Sequence, residues 1–196
     1  MTLKNKKIGF AFTGSFCTYE TALLCLEEII KEGADVTGIF SGAAGTTDTR
    51  FMKAADLKEA VTRTTGKPAI CTIIEAEPIG PKQLFNLLIV APATGNTIAK
   101  ITNGITDTSV TMAVKAHLRN CRPVVLAVST NDALGNNAKN IGILLNTKDI
   151  FFVPFSQDDP VNKPKSLIFL KEYVVPALEE ALEGRQVQPL LGKPTG

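Results

Sequence analysis

Tryptophan is absent from the 196 residues, and histidine occurs once, at His117. A Ser-His-Asp or Cys-His relay would have to run through that single imidazole, so hydrolytic machinery of that kind is not expected. His117 stands in a helical stretch near Lys115 and Arg119, a spacing that predicts an exposed ring. The four cysteines, Cys17, Cys25, Cys71 and Cys121, form no CxxC pair. Without closely spaced ligands there is no zinc signature, so no metal is expected, and the thiols are expected to be reduced. Cys25 fits a buried helix face. No apolar run approaches the roughly 18 residues of a spanning helix. The six residues from Ile8 to Thr13 are too few for the apolar region of a signal peptide. A dominant charge is also missing: 21 Lys and Arg against 19 Asp and Glu leave +2, no field for nucleic acid or an anionic membrane. The expectation is a soluble, cytoplasmic chain.

What is present is core. Hydrophobic residues make up 44% and charged residues 20%, enough apolar surface for a folded domain. The length suits about one domain at the usual ~150 residues. We place that domain at residues 1–184, with 185–196 as a tail that is loose or packed on a neighbour. Residues 7–13 read as a buried strand stopping at Gly14-Ser15, and 18–32 as a helix with Leu23, Leu26, Ile29 and Ile30 on one face. A strand at 35–40 and a helix at 51–64 follow, the helix closed by Gly66. Residues 69–74 are ambiguous. Residues 85–91 read as a strand ended by Pro92, and Thr94 opens a helix running to Asn103-Gly104. A helix at 109–120, a strand at 123–129, a helical stretch at 132–146 and a last strand at 150–153 come next. Residues 166–183 read as a long helix interrupted near Pro176.

Apolar strands alternating with helices predict an α/β fold with a doubly wound parallel sheet, covered on both faces in three α/β/α layers. Ligands of such sheets bind beyond the carboxyl ends of the strands. Four small or polar turns follow strand ends: Thr13-Gly14-Ser15, Ser41-Gly-Ala-Ala-Gly, Pro92-Ala93-Thr94-Gly95-Asn96-Thr97, and Ser129-Thr130-Asn131-Asp132. Any one of them is explained by helix capping, in which a side-chain oxygen satisfies a free N–H. Four on one sheet edge point instead to a phosphate-bearing cofactor, because small residues admit a ligand to the backbone and helix N-termini favour anions. Common nucleotide signatures do not apply. Gly9-x-x-x-x-Gly14-Ser15 lacks the P-loop lysine, with Phe16 in place of the Mg²⁺-binding hydroxyl, and the first turn has no GxGxxG.

The run Ala91-Pro-Ala-Thr-Gly-Asn-Thr-Ile-Ala-Lys-Ile-Thr-Asn-Gly-Ile-Thr-Asp107 resembles the PASANT motif and following helix of the flavoprotein family. That family includes phosphopantothenoylcysteine decarboxylase, the peptide-cysteine decarboxylases and the flavin prenyltransferases. Thr13-Gly14-Ser15 resembles its first-strand turn, and Ser41 falls at its second-strand flavin contact. The resemblance covers about residues 7–155. It implies a flavodoxin-like sheet, assembled as homotrimers or multiples of trimers, with FMN at an interface between protomers. It also implies cofactor contacts from Thr13, Gly14, Ser15, Ser41, Ala93, Thr94, Gly95, Asn96, Thr97, Ser129 and Thr130.

Two departures set this chain apart from the best-known reactions of the family. Where the cysteine decarboxylases carry a catalytic His, this sequence has Pro78, which transfers no proton. Of their later Pro-x-Met-Asn motif only Asn131 survives, and the prenyltransferases' Arg-Glu pair is replaced by Ser129-Thr130. Three further segments, Glu77-Pro-Ile-Gly-Pro, 122–135 and 151–160, are similar to a two-component oxidoreductase branch of the family found in spore-forming bacteria. This similarity implies a partner chain resembling a nicotinamide-nucleotide dehydrogenase, which brings NADP. It also implies a small dicarboxylate substrate that is oxidised to an aromatic ring in the mother cell.

Arginine suits a carboxylate because its planar fork donates two parallel hydrogen bonds. Arg50, after the second-strand turn, is the candidate for one carboxylate, with Lys53 the second choice; a solvated Arg at a helix start is the plain alternative. Asn131 is a candidate for a hydrogen bond to substrate or flavin edge. Glu77, beside the lost histidine, is a third candidate. Asp158-Asp159 reads as a turn or cap before Pro160, with a general base as the sharper reading. Two other classes of function remain open beside the flavin oxidoreductase component: a non-catalytic interaction component, and a flavin-dependent decarboxylase.

Overall fold

The structure, a computed structural model, describes residues 3–192. Its strands are β1 (Lys7–Phe12), β2 (Asp35–Phe40), β3 (Leu87–Ala93), β4 (Val124–Thr130), β5 (Ile150–Phe152), β6 (Phe155–Ser156) and β7 (Leu167–Phe169). The helices are α1 (Tyr19–Lys31), α2 (Gly42–Thr46), α3 (Ala54–Thr65), α4 (Ile73–Ala76), α5 (Gly95–Thr102), α6 (Ser109–Leu118), α7 (Ala138–Leu145) and α8 (Val174–Leu182). Parallel pairing gives the order β2-β1-β3-β4-β5. The expected α/β doubly wound sheet is therefore present. Its central strands are buried up to Thr130 at the end of β4, as a parallel sheet clad on both faces requires.

Side-chain alternation sorts the core into two layers. Ile8, Phe10 and Phe12, with Leu87, Ile89 and Ala91, face α1, α3 and α8. Leu88, Val90, Leu126 and Val128 face α6 and α7 on the other side. In β3 the alternation breaks at Pro92. The register with β4 shifts between Val90 and Ala93, and Ala93 joins the second layer rather than the first. Pro92 was expected to end this strand; instead the strand passes through it, because proline, with no N–H to offer, is accommodated at an irregularity in the ladder.

Other differences have similar physical causes. The 51–64 helix starts later, at Ala54, where Asp48 Oδ1 accepts the Ala54 N–H at 2.9 Å. Gly66 closes it in the left-handed conformation (φ +67°), as expected. The ambiguous 69–74 stretch splits: Ile70 bridges to Ile39, and Thr72 then starts α4 through a capping box with Glu75. The strand at 150–153 is not the last. Residues 166–183 form β7, a 3₁₀ turn and then α8, rather than one long helix. β7 pairs antiparallel with both Ser129–Thr130 and β6, and these ladders draw Leu167–Phe169 out of the helix. Pro176 sits in the first turn of α8, where its missing N–H costs nothing.

The tail also has structure as far as it is described. Gln186 accepts from the Phe152 N–H and donates to its carbonyl, both at 2.8 Å, and Phe155 exchanges backbone bonds with Leu190 and Gly192. Residues 185–192 thus lie on this chain's own sheet edge; 193–196 fall outside the described residues.

His117 was expected on an exposed face and is 1% exposed. α6 is buried over most of its circumference, so Lys115 and Arg119 do not carry His117 outward with them. Its Nε2 has no hydrogen-bond partner. Burial, and then the charge of Arg122, push its pKa down to about 4, so the ring is neutral near pH 7.

Candidate functional site

In a 2-1-3-4-5 sheet the chain leaves β1 toward one edge and β3 toward the other, so a crevice opens where these strands end. A cavity of about 900 Å³ occupies this position, within the ~300–1,000 Å³ usual for ligand sites. Gly14 and Ser15 line it from the β1 turn, Thr94, Gly95 and Asn96 from the β3 turn, and Ser129, Thr130, Asn131 and Asp132 from the end of β4. Three of the four expected turns are therefore gathered in one place.

The turns are tied together by hydroxyls. Thr13 Oγ1 donates to the Pro92 carbonyl at 2.5 Å and accepts the Thr94 N–H at 3.2 Å. Ser15 Oγ and Ser129 Oγ stand 2.8 Å apart, which links β1 to β4 across the end of β3. Thr94 caps α5, accepting the Thr97 N–H at 3.3 Å. Gly95 and Asn96, whose N–H groups are the other free donors of that first turn, line the cavity.

Gly95 is required by its surroundings. A Cβ there would lie 2.5 Å from Asn137 Nδ2, 2.6 Å from Asp132 Oδ1 and 2.8 Å from Thr130 Oγ1. These atoms form a network. Thr130 donates to Asp132 Oδ1 at 2.6 Å, Asn137 donates to Oδ2 at 2.7 Å, and Asn140 donates to Asn137 at 2.8 Å. A carboxylate beside the start of α5 is favourable for the helix dipole and fixes the loop after β4.

Of the remaining expected residues, all but Arg50 stand apart from the cavity wall. Thr13, Ala93 and Thr97 are buried behind it. Ser41 does not line it; its hydroxyl accepts the Ala44 N–H at 3.2 Å and caps the five-residue α2. Glu77 lies in a 3₁₀ turn packed on α6, also off the wall. Arg50 does line the cavity, with its guanidinium carbon 4.8 Å from the centre of the Phe51 ring. Lys53 is not among the lining residues.

The structure adds residues that the sequence did not single out. Phe16, Cys17 and Thr18 line one wall, Phe51 the rim, and Lys163, Ser166, Leu167 and Ile168 a further wall. That last wall exists because β7 folds back beside β4, and the two-strand pairing has no periodic signal strong enough to read. The prolines at 160 and 164, which bracket a loop rather than a helix start, were the available hint. Asp158, first read as a turn or cap, faces the cavity and holds Lys163 Nζ at 3.0 Å. Burial alone would raise the Asp158 carboxyl; the Ser166 hydroxyl and the Lys163 ammonium outweigh it and hold the group below the usual carboxylate range.

Hydroxyls, amides, two backbone N–H donors, an arginine and the apolar faces of Phe16, Phe51 and Ile168 suit a flat, polar-edged ligand of nucleotide size. The chain belongs to the Flavoprotein family, whose model matches residues 1–168. It is 46% identical over 190 residues to the B component of dipicolinate synthase from Bacillus subtilis, covering 97% of this chain and 95% of that one. It superposes on the crystal structure of the dipicolinate synthase B component from Bacillus halodurans with a TM-score of 0.91 at 42% identity, covering 99% and 100% of the two chains. The fold is shared more distantly with a dodecameric FMN-dependent UbiX-like decarboxylase of Escherichia coli O157:H7, with a TM-score of 0.60, 21% identity and coverage of 76% and 79%. Among the described residues no helix is long and apolar enough to cross a membrane.

Proposed function

We propose that this chain is the flavoprotein half, the B component, of a two-component dipicolinate synthase. It holds FMN in the cavity and acts with the A component of dipicolinate synthase, a dehydrogenase-like partner that brings NADP. Together they oxidise dihydrodipicolinate to dipicolinate in the mother cell of a sporulating bacterium. The observation that supports this reading most is the pairing of near full-length similarity to the B components with a ligand-sized cavity at the β1/β3 crevice. The donor set fits FMN: hydroxyl and backbone N–H groups for its polar edge and phosphate, and apolar side chains for its ring. Assembly as a homotrimer, or a multiple of trimers, would cover the open side of the cavity.

When bound, FMN would supply a two-electron acceptor. The chain's own residues bind, orient and exclude water. Arg50 receives one substrate carboxylate through its fork, and Asn131 donates to the ring or flavin edge. Asn96 and the β3 turn hold the flavin. Aromatisation of the dihydro ring releases a hydride and a proton. No histidine lines the cavity, which disfavours the decarboxylase reading; Asp132 and Asp158 are the carboxylates on its wall.

The test is co-purification with that partner, followed by a cofactor census and turnover. The expected sample is yellow, absorbs near ~450 nm as a flavin cofactor does, and is required for turnover. Asn96→Ala should lose flavin without loss of the folded state. A chain that stays colourless after incubation with FMN, yet raises the turnover of the dehydrogenase-like partner, would replace this reading with that of a non-catalytic interaction component.

A further inference from the structure

Phe51 is 49% exposed, on a segment between α2 and α3 that has no regular structure. The segment is nevertheless closed on itself. Thr49 Oγ1 accepts the N–H groups of Phe51 and Met52, each at 3.2 Å, and the Thr49 N–H reaches the Met52 carbonyl at 3.2 Å. Asp48 ties the far end to the start of α3. The turn therefore presents Arg50 and Phe51 together as a fixed tip, and both line the cavity.

Two cations line that cavity, and they differ in one respect. Lys163 is paired with Asp158 at 3.0 Å. Arg50 pairs with no carboxylate among the described residues and lies over the Phe51 ring instead. A contact with the ring face uses none of the guanidinium's N–H groups in a hydrogen bond to oxygen, and it removes rotamers that a free arginine would lose on binding. Phe51 also lines a small void of about 80 Å³ together with Phe16, Tyr19 and Met52.

We infer that Phe51 is a positioning residue for carboxylate recognition, holding the Arg50 guanidinium flat at the cavity rim so that its fork meets a planar carboxylated ring. The inference rests on the reading of Arg50 given above and deepens it by assigning the residue that sets the plane of the fork. A half-exposed phenylalanine on a turn closed by its own backbone adds little to the core, so its replacement leaves the fold intact.

The test is a double-mutant cycle read by calorimetric titration with pyridine-2,6-dicarboxylate, on the chain as purified. Flavin content is measured separately on the same samples. Phe51→Leu should weaken binding by about 2- to 5-fold, the range of an exposed cation–π pair, and Phe51→Tyr should restore it. Arg50→Ala should weaken it by at least ~10-fold. In the Arg50→Ala background, Phe51→Leu should add less than about 1.5-fold, because the pair acts as a unit. An equal cost of Phe51→Leu with and without Arg50 overturns the inference, as does an unmutated chain that takes up flavin but no dicarboxylate. Dicarboxylate binding with the expected coupling in a chain that takes up no flavin supports the Arg50–Phe51 assignment and defeats the flavin reading instead.

Discussion

Acidification should unfold this protein through His117. The folded ring is held neutral, with a pKa of about 4 against 6.5 in a free chain. Between those values the unfolded chain binds a proton that the folded chain refuses. Stability from this source is therefore complete above pH 6.5 and is lost as pH falls toward 4. At about 1.4 kcal/mol per pH unit, the interval amounts to about 3 kcal/mol, a large share of the total for a domain held by ~5–15 kcal/mol. The groups that set the interval are the apolar packing of α6 and the Arg122 guanidinium, with the backbone near Pro123 and Asn86 opposing them weakly. Two measurements check the reasoning. Because the sequence has a single histidine, one imidazole resonance reports the titration directly and should stay at its neutral shift down to about pH 4. Urea unfolding at fixed protein concentration should show the unmutated chain losing about 3 kcal/mol more than His117→Leu between pH 7 and pH 4. The carboxylates held low by their partners, such as Asp107 beside Lys100, titrate in both proteins and cancel. Equal acid sensitivity in the two chains, or an imidazole that titrates near 6.5, would refute the argument.

The other predictions concern the cavity floor and the core. Gly95→Ala must displace three polar atoms of one hydrogen-bonded network, so it should cost about 2 kcal/mol or more in urea unfolding and abolish flavin uptake. An unchanged midpoint would mean that the Asp132 network yields freely. Leu126→Ala removes a fully buried side chain from a strand flanked by β3 and β5. It should cost about 2–5 kcal/mol by the usual cavity penalty, and a loss under ~1 kcal/mol would show that the second layer collapses around the gap.

The extent to which the site could be read in advance follows from which groups act locally. The cap at Thr94, the latch of small residues after β1 and the hydroxyl-rich end of β4 are short-range signals, and all reach the cavity. Ser41 carried the same local signal, caps α2 as Thr94 caps α5, and does not line the cavity. Asp132 stood in an expected turn, but its part in excluding a side chain at position 95 arises only when α5 and the loop after β4 meet.

At the level of the fold, local order in the chain was enough for the strands β1 to β4 and for α1, α3, α5 and α6 between them. Each is an apolar run or stripe with its own start and stop residues, so the alternation of α and β, and hence the sheet edge on which the turns gather, needed no tertiary information; the strand order that opens the crevice between β1 and β3 did. The burial of His117, the strand character of Leu167–Phe169 and the stacked Arg50–Phe51 tip were decided by the folded molecule. Each depends on a partner distant in sequence or on a turn closing upon itself. A single pattern of apolar and polar residues is compatible with both outcomes until that contact forms.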